Sequence, residues 1–243
     1  MSVQSMLFKY RAINPRLIDS IVNPTWYFAK PDTLNDPFDC RVDIRKALTR
    51  AANSTSGLRE ERLRAALKRE DGTLDAWGRQ FADFGVFALS QTSVSELLWA
   101  HYADNHRGVV LTYRFDASLF ADSPHEFVGF DFVKYGQNAV TEYLQSAAID
   151  QQKPNGFVEE LGRLYLTAKS EAWRYEEEVR IIRTTSGPME IPRGTLSGII
   201  FGLRTPQADV EHITALAKQH TDCDAFAQMQ PDDSDFGFVA QRI

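Results

Sequence analysis

The chain has 243 residues, of which 43% are hydrophobic and 25% are charged, an ordinary globular balance that argues against disorder. The formal charge of -6 at pH 7 argues against a protein whose main task is coating nucleic acid, because such binding relies on neutralised phosphates. Two cysteines without a CxxC motif argue against a disulfide framework or structural zinc. With neither a signal-peptide core nor an apolar window of ~18 residues, we expect a cytosolic protein that does not enter a membrane.

The first part of the chain predicts short strands around one helix, followed by a long helical stretch. Apolar side chains at helical spacing predict a helix over residues 14–22, between strands at residues 6–10 and 25–29. Residues 31–39 are rich in turn formers and predict a loop. Helical periodicity then returns over residues 44–82, in two or three pieces, and predicts a helical insert.

The rest of the chain mixes strands and helices without a regular βαβ order. Ser93-Val94-Ser95-Glu96 predicts a capping box with Ser93 as the cap, and the helix that it opens should run to about Asp104. The other elements are predicted in chain order: strands 85–90, 109–113 and 127–135, helices 137–151 and 156–171, strands 179–183 and 199–202, an amphipathic helix 206–220, and strands 225–229 and 238–243.

This order predicts one α+β domain over residues 1–243, with the helical insert at about 44–82. Its core should be a mixed or antiparallel sheet of at least five strands. Because their β-branched and aromatic content is high, the strands at 109–113, 179–183 and 199–202 should be central.

The first segment that suggests chemistry is Asn35-Asp36-Pro37-Phe38-Asp39, which directly follows a predicted strand and its loop. Asn and Asp bond their own downstream backbone and Pro restricts the next dihedral, so the segment predicts a rigid turn. A rigid turn is also a good platform for a side chain that points into a cleft. Both interpretations hold together, with Asn35 or Asp36 as the residue that reaches the cleft.

The second segment runs from Leu98 to Gly108 and is dense in functional groups. His101 and Asp104 are three residues apart and should share a helix face. His106 should lie just beyond the helix end, where the dipole favours its charged form. A purely structural role would place the aromatic side chains in the core and His101 on a buried carbonyl. The density of the cluster favours a site.

The third segment, Trp173 to Arg180, enters a predicted strand. Alternation along a strand should place Glu176, Glu178 and Arg180 on one face. Successive acids repel one another, so a cation should compensate them, with Arg180, Lys169 and Arg174 as candidates. Alternatively, the acids form a pair whose environments separate their pKa values.

Polar groups of this density predict one shared cleft. We therefore expect Asn35, Asp36, His101 and Tyr102 to lie close to Glu176 or Glu178. The sequence contains no Gly-x-Ser-x-Gly, P-loop, GxGxxG or HExxH motif, which argues against classical hydrolases, NTPases, Rossmann enzymes and metalloproteases.

Taken together, these motifs resemble those of the bacterial domain of unknown function family 2971, in order and over nearly the whole chain. NDPFD and WxYExExR are specific when they occur together. The residues that carry the resemblance are 7–11, 26–28, 34–39, 89–90, 98–104 and 200–202, with Gly108, Lys169, Trp173, Tyr175, Glu176, Glu178 and Arg180. This resemblance by itself implies no activity.

The layout is also similar, more distantly, to that of NAD-dependent ADP-ribosyltransferases. Those enzymes place a His or Arg on the first core strand, a Ser or Tyr on a middle strand and a catalytic Glu late in the chain. Here Ser90 and Glu178 match the second and third positions, whereas Lys9 or Tyr10 departs from the pattern at the first. Glu176 and Glu178 resemble the paired glutamates of some of these enzymes.

This second resemblance implies an enzyme that consumes NAD in a cleft between two sheet halves. Glu178 would stabilise the oxocarbenium-like ribose left when nicotinamide departs, and Tyr10 or Tyr102 would stack on nicotinamide. The acceptor would be nucleic acid, a protein side chain or water, and the setting a toxin or phage defence. The candidate catalytic residues are Glu178, Glu176 and His101, and the candidates for NAD binding are Lys9, Tyr10, Asn35, Asp36, Ser90 and Tyr102.

Two other functions fit the same residues. The first is a metal-dependent nuclease, for which hard ligands of Mg²⁺ or Mn²⁺ are available at Asp36, Asp39, His101, Asp104, His106, Glu176 and Glu178. The second is a non-catalytic partner-binding module in which the aromatic motifs form the core. Convergence of Glu178 and Ser90 near Tyr10 would favour the NAD enzyme, whereas acids and histidines around one point would favour the metal.

Overall fold

A computed structural model describes residues 5–68, 81–122, 124–146, 154–233 and 237–243. Part of the predicted helical insert, residues 69–80, and part of the predicted helix 137–151 lie outside these residues. Within them the strands are β1 Ser5–Arg11, β2 Thr25–Phe28, β3 Gly85–Ser90, β4 Val109–Phe115, β5 Phe127–Phe132, β6 Lys134–Tyr135, β7 Ala168–Lys169, β8 Glu178–Arg183, β9 Gly187–Glu190, β10 Leu196–Phe201, β11 Ala225–Pro231 and β12 Phe238–Arg242.

Helices lie between these strands and pack on both faces of the sheet. In chain order they are α1 Pro15–Val22, α2 Ile44–Asn53, α3 Leu58–Leu67, α4 Glu96–Tyr102, α5 Ala139–Ser146, α6 Pro154–Thr167 and α7 Gln207–His220, with short 3-10 helices at Pro31–Thr33, Ala117–Phe120, Glu171–Glu176 and Arg193–Thr195. No helix of the described residues has the length and apolar character needed to cross a bilayer.

The fold is α+β, as predicted, and its centre is an eight-stranded sheet with the order β12-β11-β10-β4-β1-β3-β8-β5. β10 and β11 run parallel, whereas the other neighbours in this sheet are antiparallel. The strands expected to be central, β4, β8 and β10, all lie inside the sheet, which confirms that prediction. Two further pairs, β2-β9 and β6-β7, lie outside it.

The large sheet consists of two halves that meet between β1 and β3. β1 pairs with β4 along its whole length, from Ser5 opposite Phe115 to Arg11 opposite Val109. Among the described residues it pairs with β3 only where Phe8 lies opposite Ser90. Beyond that point the strands separate, and Lys9 enters the gap and donates from Nζ to the carbonyl oxygen of Ala88 at 2.5 Å. A side chain therefore satisfies a backbone acceptor that a continuous ladder would have paired.

Separate apolar clusters cover the two sheet faces and the helical insert. On one face, Trp26, Phe87 and the buried sides of α1 and α7 form the largest cluster. On the other, Trp99 of α4 packs with Tyr10 and Met229. A third cluster joins α2, α3, α5 and α6. Side chains from both the sheet and these helices can therefore reach the place where β3 ends and β8 begins.

Several local predictions were wrong because tertiary contacts override them. Ser95, and not Ser93, caps α4: its hydroxyl accepts from the backbone N–H of Leu98, whereas the carbonyl of Ser93 accepts from the Trp99 indole. The helix ends at Tyr102, so Asp104 does not share its face with His101. Asp104, Asn105 and His106 adopt positive φ instead.

Two predicted boundaries around β5 and α6 also differ. The strand predicted over residues 127–135 is divided, because β6 leaves the main sheet and pairs with β7. The helix predicted over residues 156–171 ends at Thr167, and Ala168–Lys169 forms β7. That change from helix to strand brings Lys169 within reach of Glu176 and Glu178. β9, which pairs with β2, was not predicted.

Candidate functional site

A pocket with a volume of about 170 Å³ opens where β1, β3 and β8 meet. Phe8, Ser90 and Glu178 lie in register across these three strands, so their side chains share one sheet face. The end of α4 and the loop after β2 cover the pocket from above. Besides these, its lining includes Lys9, Tyr10, Asn35, Asp39, Tyr102, Lys169, Glu176 and Arg180.

Three carboxylates and two cations form a buried charge cluster on the wall of this pocket. Lys169 Nζ binds Glu176 Oε2 and lies 2.8 Å from Glu178 Oε2 and 3.7 Å from Asp39 Oδ2. All three acids are less than 7% exposed. Buried charges are costly unless they are paired, and here one ammonium contacts all three acids.

Arg180 supplies the second cation. Its Nη1 and Nη2 bind both carboxylate oxygens of Asp39, at 2.9 and 2.6 Å, and its Nε donates to Glu178 Oε1 at 2.7 Å. Nη1 also donates to the carbonyl oxygen of Leu166 at 2.6 Å. The guanidinium, only 1% exposed, therefore joins the NDPFD turn to β8 and the end of α6.

The two glutamates have opposite pKa shifts. Burial alone would raise the pKa of Glu178, but Arg180 and Lys169 outweigh it and lower this pKa to about 2. Burial raises the pKa of Glu176 above its ordinary value, against the opposing effects of Lys169 and Tyr102. Glu176 shares a single cation, so its charge is the less compensated. Both alternatives that the sequence offered are therefore seen: cations compensate the acids, and the two pKa values are shifted in opposite directions.

The glutamates reach one ammonium in a way that strand alternation did not predict. Glu176 ends the 3-10 helix Glu171–Glu176, and Glu178 begins β8. Glu177, between them, has a left-handed backbone with φ of 44°, and its side chain is exposed. The strand argument was right for Glu178 and Arg180 and wrong for Glu176, which lies before the strand.

The turn, α4 and the glutamates meet, as the single-cleft hypothesis predicted. The Tyr102 hydroxyl donates to Glu176 Oε1 at 2.6 Å and accepts from Asn35 Nδ2 at 2.8 Å. Burial, and then the bond to Glu176, raises the pKa of Tyr102. A donor chain therefore runs from the loop through Tyr102 to the carboxylate with the raised pKa.

The remaining candidates from the first strand and from β3 also line the pocket. The Ser90 hydroxyl donates to the backbone carbonyl of Glu176 at 2.8 Å and so positions the first member of the acid pair. The Tyr10 hydroxyl donates to the carbonyl of Thr92 at 3.0 Å and accepts from the N–H of Ser95. Burial, and then Arg11, lowers the pKa of Lys9 to about 8.

Four of the residues considered for chemistry lie away from the pocket lining. The carboxylate of Asp36 accepts from the N–H of Phe38 and closes the turn. His101 is exposed, with Nδ1 3.2 Å from the Tyr175 hydroxyl. Asp104 is exposed beyond the helix end, and the His106 ring stacks on Trp99. Among the described residues, no three His, Cys, Asp or Glu side chains are placed to hold one metal ion.

Sequence reasoning missed one polar residue and undervalued another. The Tyr135 hydroxyl accepts from the backbone N–H of Glu178 at 2.8 Å and fixes the start of β8. Nothing in the local sequence distinguishes this tyrosine. Asp39 was considered only as a metal ligand, although the argument that buried acids need cations applies equally to it.

Comparison with known proteins identifies one family. Residues 98–181 match the profile of a family described as Protein of unknown function (DUF2971). Comparisons with curated proteins and with solved structures gave no significant match. The likeness to ADP-ribosyltransferases therefore stays a prediction. The matched segment spans about a third of the chain and contains most of α4, Lys169, both site glutamates and Arg180. Residues 98–181 thus resemble the DUF2971 family, which agrees with the resemblance that the motifs of this segment predicted.

Proposed function

We propose that the chain is an NAD-consuming transferase of the ADP-ribosyltransferase type, with its active site in the pocket between the two sheet halves. One observation carries this proposal. Residues from β1, β3 and β8, the strands that hold Tyr10, Ser90 and Glu178, converge where the sheet separates. The same pocket holds two acids, Glu176 and Glu178, whose pKa values are shifted in opposite directions. Such a pair suits acid–base chemistry.

The two acids have different roles. Cleavage breaks the bond between ribose C1′ and the nicotinamide nitrogen, and the electron pair leaves with nicotinamide. Glu178, which is ionised throughout the physiological range, stabilises the positive charge that develops on the ribose. Glu176 accepts the proton that the acceptor loses as it attacks C1′, because its raised pKa makes it the better base.

The dimensions of the pocket determine which part of NAD it holds. About 170 Å³ is less than the ~300 Å³ at which pockets for whole drug-sized ligands begin. The nicotinamide ring is small enough for this space, with its face against Tyr10 or Tyr102 and the ribose at the mouth beside the acids. The rest of the dinucleotide then lies outside the pocket, at its open side near Asn35. The acceptor is nucleic acid, a protein side chain or water.

The test is nicotinamide release from NAD, with single-stranded DNA, RNA, a protein mixture or water as the acceptor. Glu176→Gln and Glu178→Gln should each lower the rate by about 10²–10³-fold, the scale of losing one preorganised charge. Glu177→Gln is the matched control, because Glu177 lies between them and is exposed. Its rate should equal that of the wild type.

Calorimetric titration with NAD and thermal unfolding accompany the rate measurement, so that loss of chemistry is separated from loss of folding. Saturable NAD binding with no release would mean that the acceptor panel lacks the right class. Neither binding nor release by the folded wild type would overturn the proposal. Mg²⁺-dependent cleavage of the DNA or RNA in the same samples would favour the nuclease.

A further inference from the structure

A second cavity, of about 470 Å³, lies on the opposite side of β1. Side chains alternate along a strand, so Lys9 and Arg11 point away from the face on which Phe8 and Tyr10 line the first pocket. α1 and the β2-β9 pair form the other walls. Lys9, in the gap between β1 and β3, borders both cavities.

The side chains that line this cavity carry a net positive charge. Among the described residues, Arg11 and Arg16 have neither a hydrogen bond nor an ion pair to another side chain. Asp19 also lines the cavity, but among the described residues it forms no ion pair with either guanidinium, and it accepts from Asn23 Nδ2 at 2.9 Å. Arg180, Arg183 and Arg163 all bind carboxylates elsewhere in the same chain.

Water can solvate the guanidinium of the exposed Arg16, which therefore needs no protein partner. Water has less access to the guanidinium of Arg11. Arg11 is half-buried on β1, beside the ammonium of Lys9, whose pKa it helps to lower. Two guanidiniums and an ammonium around one cavity, in a chain of net charge -6, form a local positive field that attracts an anion. Guanidinium groups suit phosphate because their N–H groups bind two oxygens at once.

The other walls suit a flat ring. The buried side chains of Phe87, Leu111 and Tyr113 form an apolar floor, and Tyr27 on β2 is 64% exposed at the rim. An exposed tyrosine provides a stacking surface for a base. The volume lies within the range of small-molecule sites. We propose that this cavity binds a nucleoside monophosphate, with its phosphate on Arg11 and Arg16 and its base against Tyr27. The site does not depend on the NAD reaction.

The test is calorimetric titration of the full chain with AMP, adenosine and inorganic phosphate separately. AMP should bind, and adenosine and phosphate should each bind at least about tenfold more weakly, since each makes half of the contacts. The double variant Arg11→Gln/Arg16→Gln should weaken AMP binding by about 30-fold or more, from the loss of two charge-assisted interactions. Tyr27→Ala should weaken AMP binding about tenfold and leave phosphate binding unchanged.

Arg114→Gln is the matched control, because Arg114 is an exposed arginine on the neighbouring strand β4 and does not line the cavity. It should bind AMP as the wild type does, and thermal unfolding should show all variants folded. The proposal is overturned if AMP does not saturate the folded wild type, if the double variant binds AMP normally, or if phosphate alone binds as tightly as AMP, which would indicate an anion site without base recognition. Nicotinamide riboside, which lacks the phosphate, displacing AMP one for one would also overturn it, because the cavity would then be part of the first site.

Discussion

The hydroxyl of Tyr102 donates to Oε1 of Glu176, with 2.6 Å between the two oxygens. This bond connects the end of α4 to the first member of the acid pair, across 74 positions of sequence. It also places a neutral donor, and not a second cation, on the acid with the raised pKa.

Tyr102→Phe tests that bond, because it keeps the ring and removes only the hydroxyl. The variant should lose about 1–2 kcal/mol of unfolding free energy, the cost of one buried hydrogen bond to a charged group. The pKa of Glu176 should rise further, since the Tyr102 bond lowers it. Urea unfolding measures the first effect and carbon NMR of the Glu176 carboxyl the second. Tyr175→Phe, whose hydroxyl contacts exposed His101, is the control and should leave that pKa nearly unchanged.

Arg180→Met should be among the most destabilising substitutions in the chain. It leaves Asp39 in the interior with only Lys169, 3.7 Å away, and deprives Glu178 of one of its two cations. Breaking a buried pair from one side costs about 3–5 kcal/mol. Arg174→Met is the comparison, because Arg174 forms its ion pair with Glu171 at the surface, and its loss should change stability little. Equal unfolding midpoints in denaturant for the two variants would contradict a structural role for Arg180.

Acid should unfold the protein partly through Glu178. Its folded pKa of about 2 lies below the ordinary 4.5, so its contribution to stability is complete above about pH 4.5 and is lost as the pH falls towards 2. The gap corresponds to up to about 3 kcal/mol. We expect the difference in unfolding free energy between the wild type and Glu178→Gln to shrink between pH 6 and pH 3. A constant difference would show that Glu178 is not held ionised by its partners.

Lys9 should also make the stability of the protein rise with pH, but in the alkaline range. Its folded pKa of about 8 lies below the ordinary 10.5, so the buried ammonium costs stability below pH 8, and this cost is relieved as the pH rises from 8 to 10.5. Relative to Lys9→Met, the wild type should therefore gain up to about 3 kcal/mol of unfolding free energy. Urea titrations at pH 7 and pH 10 measure this, and parallel changes in the two proteins would refute it.

Gly108 should tolerate no side chain. A Cβ atom there would lie 2.2 Å from the carbonyl oxygen of Arg11 and 2.9 Å from the backbone of Ala103. Gly108→Ala should cost about 3 kcal/mol, because backbone has to move. Gly194→Ala is the control, since its nearest neighbour is an Asp222 side-chain oxygen 3.9 Å away. Similar melting temperatures for the two variants would contradict the close approach of the α4–β4 turn to β1.

Local sequence patterns correctly predicted the elements whose own residues show the composition or periodicity of their secondary structure. The strand at 109–113 was predicted from its β-branched and aromatic residues. The helix at 14–22 carries its periodicity in its own residues, and Asn14 caps it as a polar residue at such a position should. The predictions failed where a distant partner decides. Residues 134–135 and 168–169 are too short to show a period, and they become strands because they pair with each other.

The sequence by itself predicted that the acids near residue 177 need cations, which is so for Glu176 and Glu178 but not for the exposed Glu177. It also predicted that the NDPFD turn, the end of α4 and the glutamates lie close together. It did not determine which cations serve, which acid stays ionised, or that Lys9 would enter a gap in the sheet. Tertiary structure decided these, because Lys169 and Arg180 reach Asp39 only after residues up to 141 positions apart have packed together. Electrostatic energy depends on distance and on the exclusion of water, and neither quantity is present in the order of residues along a chain.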